Sequence, residues 1–324
     1  MRERVFGRTG WSITEIGYGA WQIGGNMWGP VPEARAEAAL HAALSEGITF
    51  FDTALVYGEG RSEQLVGRVL RESGARERVR VATKVPPMNM EWPASPKARL
   101  RDVFPARWIR ECAERSLRNL DIGPIDLLQL HVWTDAWADD PEWYDALVEL
   151  RDAGKIRAFG VSVNDHDPAS AMRVARSGRI DSVQVIYNVF DQSPEAELFP
   201  VAREMSLGVI ARVPLDEGSL TGRLRPDTKF SAGDWRAHYF GGQRLRETVE
   251  RVERLRPLLE RPGQSLAQGA LRFCLAQPAV STVIVGSATP EHVPDNAAAS
   301  ELGALDTDTL RALRAHAWPR NFYD

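Results

Sequence analysis

Four ionisable side chains occur where successive β-prone segments of the sequence end. Asp52 closes one apolar segment, and Tyr57 follows five positions later in a glycine-rich loop. Lys84 lies near the end of the next such segment, and His131 comes directly after the third. Because the parallel strands of an α/β barrel end at one face, where active sites lie, we expect these four residues, here called the tetrad, to form one site.

The tetrad suits the delivery of a proton to a carbonyl oxygen while hydride reaches the carbon. Tyrosine is a weak acid near neutral pH, and an ammonium group such as that of Lys84 lowers its pKa by favouring the phenolate. Asp52 would hold the lysine, and His131 would orient the carbonyl group or share the proton. The alternative is a structural pair of Asp52 and Lys84 beside two ordinary loop residues. That alternative is better for any one residue, but not for all four together.

Length, composition and charge narrow the class of protein. The 324 residues contain no Ser/Gly/Pro-rich linker, so 1–324 is predicted to form a single domain, and a hydrophobic content of 44% suffices for a large core. The net charge of −4, with both signs interspersed, predicts no nucleic-acid and no membrane partner. Cys112 and Cys274 lie far apart in helical patterns, which favours free thiols. No run approaches about 18 apolar residues and no signal-peptide pattern is present, so we expect a soluble cytoplasmic protein. The oligomeric state has no sequence signal.

Strand-like and helix-like patterns alternate along the chain, which predicts an α/β fold. Eight such units fit a (β/α)8 TIM barrel, with a doubly wound sheet as the less favoured alternative. A β-hairpin before the first barrel strand would plug the bottom of the barrel. Gly17 and Gly19 look like the start of a dinucleotide fingerprint, but Gln22 stands where the third glycine is required, so a Rossmann fold is rejected. The predicted barrel strands are 16–20, 48–52, 79–85, 126–130, 156–161, 182–185, 208–213 and 280–285.

Long loops are expected at the catalytic face of this barrel. Segment 86–105 is rich in proline, and segment 215–265 forms a large excursion between the seventh and eighth strands. Loops of such length are usually functional. Tryptophans in the catalytic-end loops predict an open pocket for a sugar, a sugar derivative or an aromatic aldehyde, although any one of them alone is better explained as pinning its loop. The predicted substrate contacts are Trp21, Trp28, Trp92 and Trp133.

Taken in order, these segments resemble the aldo-keto reductase family over nearly the whole chain. The resemblance rests on many short motifs rather than on one. The matching motifs are Arg8-Thr9-Gly10, Gly17-Tyr18-Gly19-Ala20-Trp21, Phe51-Asp52-Thr53-Ala54 with Tyr57-Gly58, Thr83-Lys84, Asp126-Leu127-Leu128-Gln129-Leu130-His131, Gly160-Val161-Ser162, Tyr187-Asn188, Pro214-Leu215, Gly218-Ser219-Leu220-Thr221-Gly222, Gly286-Ser287 and Asn296.

The resemblance implies that the tetrad is catalytic, with Tyr57 as general acid/base, in an enzyme that interconverts a carbonyl (aldehyde, ketone or sugar) and an alcohol. It also implies a nicotinamide dinucleotide bound across the strand ends, and no metal. Ser162 and Gln184 match positions that hold the carboxamide. The implied cofactor-binding residues are Gly19, Ala20, Trp21, Asp52, Ser162, Gln184, Arg212, Pro214, Leu215, Gly218, Leu220, Gly286, Ser287, Thr289, His292 and Asn296.

Three positions depart from the family pattern. Arg212 replaces the aromatic residue that commonly stacks on the nicotinamide ring. Its guanidinium plane can also stack, where its charge would disfavour the oxidised ring, or it can turn to a carboxylate. Val163 intervenes before the asparagine that usually follows Ser162. Ala288 and Thr289 stand where a basic residue often pairs with the 2′-phosphate of NADP. NADP is still favoured, with NAD possible, because other groups can replace that residue: Ser287, Thr289, Arg223, Arg225 and Arg236.

Two other functions stay open. The family includes channel-associated subunits, so the chain could be a non-catalytic nucleotide-binding regulator, although it has no basic or disordered N-terminal arm. Alternatively, Lys84 could form a Schiff base in an aldolase-type barrel, but the loop after the eighth strand and Asn296 fit a reductase better. The aromatic tail, with Trp318, Phe322 and Tyr323, would cover the barrel or reach a neighbouring molecule.

Overall fold

Within residues 1–25 and 27–323, which the computed structural model describes, eight parallel strands close into a barrel. Each barrel strand pairs with the next along the chain, and the last pairs with the first, which confirms the predicted (β/α)8 architecture. The strands are β1 (Glu3–Val5), β2 (Ser12–Thr14), β3 (Ile16–Gly19), β4 (Phe50–Asp52), β5 (Arg80–Val85), β6 (Ile125–Leu130), β7 (Ile156–Ser162), β8 (Ser182–Ile186), β9 (Gly208–Arg212) and β10 (Thr282–Gly286).

Helices surround the barrel and bury apolar faces against it. The second helix shows why, since its residues Leu65, Val66, Val69 and Leu70 recur at helical spacing and are all buried. The helices are α1 (Glu33–Ser45), α2 (Arg61–Glu72), α3 (Leu100–Val103), α4 (Ala106–Leu120), α5 (Pro141–Asp152), α6 (Met172–Arg176), α7 (Leu198–Glu204), α8 (Arg236–Tyr239), α9 (Arg244–Leu259), α10 (Leu266–Leu275), α11 (His292–Ala298) and α12 (Thr307–Arg314). None of these helices, among the residues described, is both long and apolar enough to cross a membrane.

The N-terminal hairpin closes the bottom of the barrel, as predicted. β1 and β2 pair antiparallel and place Phe6 and Ile13, both fully buried, against the lower layer of interior side chains. The Phe6 ring approaches Gly208 so closely that a Cβ there would lie 2.6 Å from ring carbons. A glycine is therefore required where the plug meets β9.

The opposite end of the barrel is polar because the strand register sets ionisable residues at one level. Asp52 pairs with Gly19 across β3 and β4, Lys84 pairs with Gln129 across β5 and β6, and Ser162 pairs with Gln184 across β7 and β8. Since alternate residues of a strand point inward, the apolar lower layer gives way here to charged and amide side chains.

The C-terminal tail packs back on the barrel. Trp318 meets Phe190 edge to face, with 5.6 Å between ring centroids, and Arg320 forms a buried ion pair with Asp216 at 2.5 Å. Of the two sequence alternatives, the tail therefore covers the barrel.

The plug generates a stability prediction. Phe6→Ala should lower the free energy of unfolding by about 3–5 kcal/mol, because it deletes a fully buried aromatic ring and leaves a cavity. Val5→Ala is the control, since Val5 is 63% exposed in the same hairpin, and it should cost less than about 1 kcal/mol. Urea unfolding followed by circular dichroism measures both. Equal losses for the two variants would contradict the plug.

Candidate active site

The structure brings Asp52, Lys84 and Tyr57 together at the polar end of the barrel. Lys84 Nζ lies 2.5 Å from Asp52 Oδ1, 2.8 Å from the carbonyl oxygen of Thr53 and 3.5 Å from Tyr57 Oη. All three N–H bonds of the ammonium group are thereby used. Because Lys84 donates to the phenol oxygen, the hydroxyl proton of Tyr57 is left for another acceptor.

Asp52 is held from two sides. Its second oxygen, Oδ2, accepts a hydrogen bond of 2.8 Å from Gln184 Nε2. Asp52 and Lys84 are both buried, and a buried charge is tolerated only when it is paired and hydrogen-bonded. The resemblance implies that Gln184 holds the carboxamide of the cofactor. In the structure Gln184 also fixes Asp52, which in turn holds Lys84.

Burial decides the protonation state of Tyr57. Removal from water raises its pKa, the Lys84 ammonium lowers it, and the Asp52 carboxylate raises it again, with a net shift above the ordinary value for tyrosine. Lys84 lowers the pKa of Tyr57, as the sequence predicted, but desolvation outweighs the cation. The hydroxyl therefore keeps its proton at neutral pH and can serve as a proton donor.

His131 faces Tyr57 as a neutral imidazole. The two rings meet edge to face, with centroids 5.8 Å apart. Burial, followed by the charges of Lys84 and Arg212, holds the pKa of His131 well below its usual value. Its Nδ1 is buried and, among the described residues, has no hydrogen-bond partner. A neutral ring beside the phenol can orient a carbonyl group without adding a third cation.

Aromatic side chains form the wall around Tyr57. Trp21 lies over the phenol ring with 6.1 Å between centroids, and it contacts Trp28 and Trp235, each at 5.5 Å. Trp92 meets His131 edge to face at 5.9 Å and is 40% exposed. Of the four predicted tryptophans, Trp21 and Trp92 thus contact the tetrad, and Trp28 contacts Trp21, as does Trp235, which was not predicted; their contact with substrate stays a prediction.

Trp133 is not part of this wall. It is fully buried, lies between Trp137 and Trp143 with ring centroids 5.8 Å and 5.0 Å away, and donates from Nε1 to Asp135. The prediction that Trp133 contacts substrate is therefore wrong. The loop after β6 folds inward, so its tryptophan anchors the loop in the core.

The turn after β10 lies beside the end of β3, where Gly286 pairs with Gly19. Tyr18 Oη donates to the carbonyl of Ser287 at 2.6 Å, and Gln22 Oε1 accepts from the amide of Ala288 at 2.9 Å. The turn is thus fixed to the first barrel strand, with Gly286 exposed. The predicted residues His292 and Asn296 follow on α11.

Two basic contacts surround this turn. Arg223, from the excursion after β9, contacts the imidazole of His292. On the other side, Arg35 Nη2 lies 3.4 Å from Thr289 Oγ1 and 3.9 Å from Glu291. Burial and the Arg223 charge lower the pKa of His292. Arg223, which was proposed from the sequence as a replacement cation, contacts His292 at the start of α11, and its pairing with a phosphate stays a prediction; Arg35 was not anticipated.

Arg212 has a carboxylate partner. Its Nη2 donates to Asp165 at 2.6 Å and to the carbonyl of Val163 at 2.9 Å, while its Nε is buried with no partner among the described residues. The displaced Asn164 instead pairs with the backbone of Ala94. Of the two alternatives for Arg212, the structure therefore shows the pairing with a carboxylate. Stacking of its guanidinium on the nicotinamide ring stays a prediction.

The segment after β9 contains the predicted residues Pro214, Leu215, Gly218 and Leu220 in a strained conformation. Val213, Asp216 and Glu217 have φ of 55°, 47° and 54°, a region that non-glycine residues rarely adopt and that costs of order 1–3 kcal/mol each. Surrounding contacts hold it, since Asn188 donates to the Val213 carbonyl and Ser219 to Asp216.

Comparisons with known proteins agree with this geometry. The sequence model of the Aldo/keto reductase family matches residues 15–317 of this chain. An aldo-keto reductase of Bacillus subtilis is 34% identical over 285 residues, covering 87% of this chain and 83% of that protein. An NADH-specific methylglyoxal reductase of Escherichia coli is 29% identical over 99% of this chain and all of its own. The structure of a glycerol dehydrogenase of Gluconobacter oxydans superimposes with a TM-score of 0.76 at 31% identity, covering 94% and 92% of the two chains.

The chain belongs to the aldo/keto reductase family. It is accordingly an oxidoreductase of the kind that uses a nicotinamide cofactor. This confirms the family recognised from the sequence motifs.

The electrostatics of the site predict that His131 does not titrate in the physiological range. Because its pKa is held well below the ordinary value, the ring should stay neutral between about pH 6 and 8. Two-dimensional NMR of ¹⁵N-imidazole groups measures this, with the His131→Asn spectrum identifying the signal. A midpoint near the ordinary histidine value would contradict the described surroundings of His131.

Proposed function

We propose that this protein interconverts a small carbonyl compound and the corresponding alcohol, with Tyr57 as the general acid/base. The observation that carries the proposal is the hydrogen bonding of Lys84, whose ammonium group joins Asp52 to the phenol oxygen of Tyr57. A protonated, desolvated phenol beside a fixed cation is suited to donate its proton to a carbonyl oxygen, because the cation stabilises the phenolate that remains.

The residues of the site fit a nicotinamide dinucleotide. Such a cofactor supplies the hydride when it is bound. Ser162 and Gln184 would hold its carboxamide, and the unpartnered Nε of Arg212 gives a buried donor on the same side. The turn from Gly286 to Thr289 would hold the adenosine end.

In the proposed mechanism, each member of the tetrad has one role. Tyr57 Oη gives its proton to the substrate oxygen during reduction and takes it back during oxidation. Lys84 stabilises the phenolate, and Asp52, fixed by Gln184, holds Lys84 in position. The neutral His131 orients the carbonyl group.

NADP is the proposed cofactor, with NAD as the alternative. The support is the contact of Arg223 with His292 and the position of Arg35 beside Thr289, because clustered basic groups favour a phosphate. The name of the Escherichia coli relative gives NADH for that protein, so the choice in this chain depends on these side chains rather than on the family.

A small, oxygen-rich substrate is favoured. Trp21 and Trp92 border the tetrad, and indole faces can pack on the apolar face of a sugar or polyol. The names of two relatives give methylglyoxal and glycerol as the compounds on which those proteins act. We therefore place sugars and small oxo compounds first among candidate substrates.

The two free, buried cysteines are in keeping with a reducing, cytoplasmic compartment.

The geometry speaks against a Schiff base at Lys84. An ammonium that is paired with Asp52 at 2.5 Å and donates to two further oxygens has no lone pair for attack on a carbonyl carbon. A purely regulatory role is also less favoured, because it would not need a proton donor held in this way.

Tyr57→Phe tests the proposal. It should reduce turnover of aldehydes at least about 100-fold, since it removes the proton donor, and should change cofactor affinity less than about threefold. Stopped-flow loss of NADPH absorbance measures the first, and tryptophan fluorescence titration with NADPH and NADH measures the second, with NADPH expected to bind more tightly.

Tyr144→Phe serves as the matched control, because Tyr144 packs against Trp143 and Phe159 away from the tetrad. Turnover by Tyr57→Phe equal to that of the control would refute the role of Tyr57. The absence of fluorescence change with either dinucleotide would refute the nicotinamide site itself.

A further inference from the structure

The strained segment after β9 contains a buried carboxylate, that of Glu217. Asp216 and Glu217 both have left-handed φ angles, and Glu217 is only 5% exposed. Neither residue is a glycine, so the conformation persists only because its surroundings require it. A buried carboxylate at such a position is a candidate for a functional group, yet the proposed reaction does not use Glu217.

The C-terminal tail supplies the partner of Glu217. Tyr323 Oη donates to Glu217 Oε1 at 2.5 Å. The Tyr323 ring is itself fixed, because it stacks on Trp235 with 5.4 Å between centroids and meets Tyr239 edge to face at 5.0 Å. Nearby, Arg320 pairs with Asp216. Two contacts from the tail thus hold two consecutive residues of the strained segment.

Glu217 belongs to the electrostatic surroundings of Arg212. The charged groups that face it are Asp216 on its own segment, Arg212 at the end of β9, and Asp165 on the loop after β7. The Arg212 charge is felt by Tyr57 and His131 as well. The Arg212 charge therefore interacts with the proton donor Tyr57 and with two carboxylates, Asp165, its ion-pair partner, and Glu217.

Burial raises the pKa of Glu217 to about 8; the hydrogen bond from Tyr323 and the Arg212 charge lower it, whereas Asp216 and Asp165 raise it. Its charge therefore changes near pH 8. Asp165 already pairs directly with Arg212. Glu217 is therefore a second carboxylate that interacts with the guanidinium, and its negative charge depends on pH.

We propose that Glu217, positioned by Tyr323, is a second charge-compensating residue of the nicotinamide site, beside Asp165, and makes the preference for oxidised over reduced cofactor depend on pH. The inference rests on the proposed function, because it requires a nicotinamide ring beside Arg212. The oxidised ring is cationic and the reduced ring is neutral. The Arg212 charge, which Asp165 offsets only in part, disfavours only the oxidised ring, and an ionised Glu217 offsets it further.

The sign of the pH dependence follows from linkage. A cationic ring favours ionised Glu217, so binding of NADP⁺ releases a proton, and the affinity for NADP⁺ rises with pH until Glu217 is ionised in the free protein. NADPH carries no ring charge and does not share this effect. The 2′-phosphate titrates in both ligands and cancels in the ratio of their dissociation constants.

The test measures dissociation constants of NADP⁺ and NADPH by tryptophan fluorescence between about pH 6 and 10. In the wild type, the ratio of the NADP⁺ constant to the NADPH constant should fall about tenfold as pH rises, which corresponds to a shift of one unit in the pKa of Glu217 between the two complexes. Glu217→Gln should abolish this dependence. Tyr323→Phe should move the midpoint to higher pH, because it removes a hydrogen bond that favours the ionised form.

Glu195→Gln is the matched control, because Glu195 accepts the same kind of hydrogen bond from Tyr187, at 2.6 Å, outside the tetrad. It should keep the wild-type dependence. A constant ratio in the wild type, or a Glu217→Gln variant that keeps the fall, would overturn the role of Glu217 while leaving the proposed function intact. Failure of both dinucleotides to bind would instead overturn the proposed function, and the role of Glu217 with it.

Discussion

The structure depends on one buried ion pair, between Lys84 and Asp52. An ammonium group without contact to water requires a counter-ion and hydrogen-bond acceptors for all its protons. Asp52 at the end of β4 provides its carboxylate, and the loop that follows provides the Thr53 carbonyl and the Tyr57 hydroxyl oxygen. These groups meet only because a closed barrel sets the ends of β4, β5 and β8 at one level. The proposed catalytic arrangement thus also satisfies a folding constraint.

A second charge cluster lies beside the first and is organised differently. Arg212 is compensated directly by Asp165, whereas Glu217 depends on a strained backbone and on a hydroxyl from the C-terminal tail. The members of this cluster come from the loop after β7, from the end of β9 and the segment after it, and from the C-terminal tail. Asp52 and Lys84 of the tetrad are therefore fixed by strand-end contacts, whereas the Arg212 cluster is assembled largely from loops and the tail.

The sequence predicts the barrel and the tetrad well, because both depend on local patterns. Apolar runs ending in an ionisable residue identify the strand ends, and the register follows from closure. Long-range contacts are not visible in this way: Trp235, Tyr323 and Arg35 reach the site from an excursion, a tail and a helix. The helix α10 was not singled out, although Ser265 and Gln268 form a capping box at its start. The place of Trp133 was misjudged and the net pKa shift of Tyr57 was not predicted, because both depend on the degree of burial.

The proposed function requires that hydride passes between the cofactor and a carbonyl carbon while a proton passes between Tyr57 and the carbonyl oxygen. The most direct measurement is a single turnover with NADPH that carries deuterium at the transferable position of C4, using excess enzyme and a small sugar or oxoaldehyde, followed by mass spectrometry of the product. The account predicts an alcohol with one deuterium on the former carbonyl carbon. An unlabelled product, or substrate trapped on Lys84 by borohydride, would contradict it.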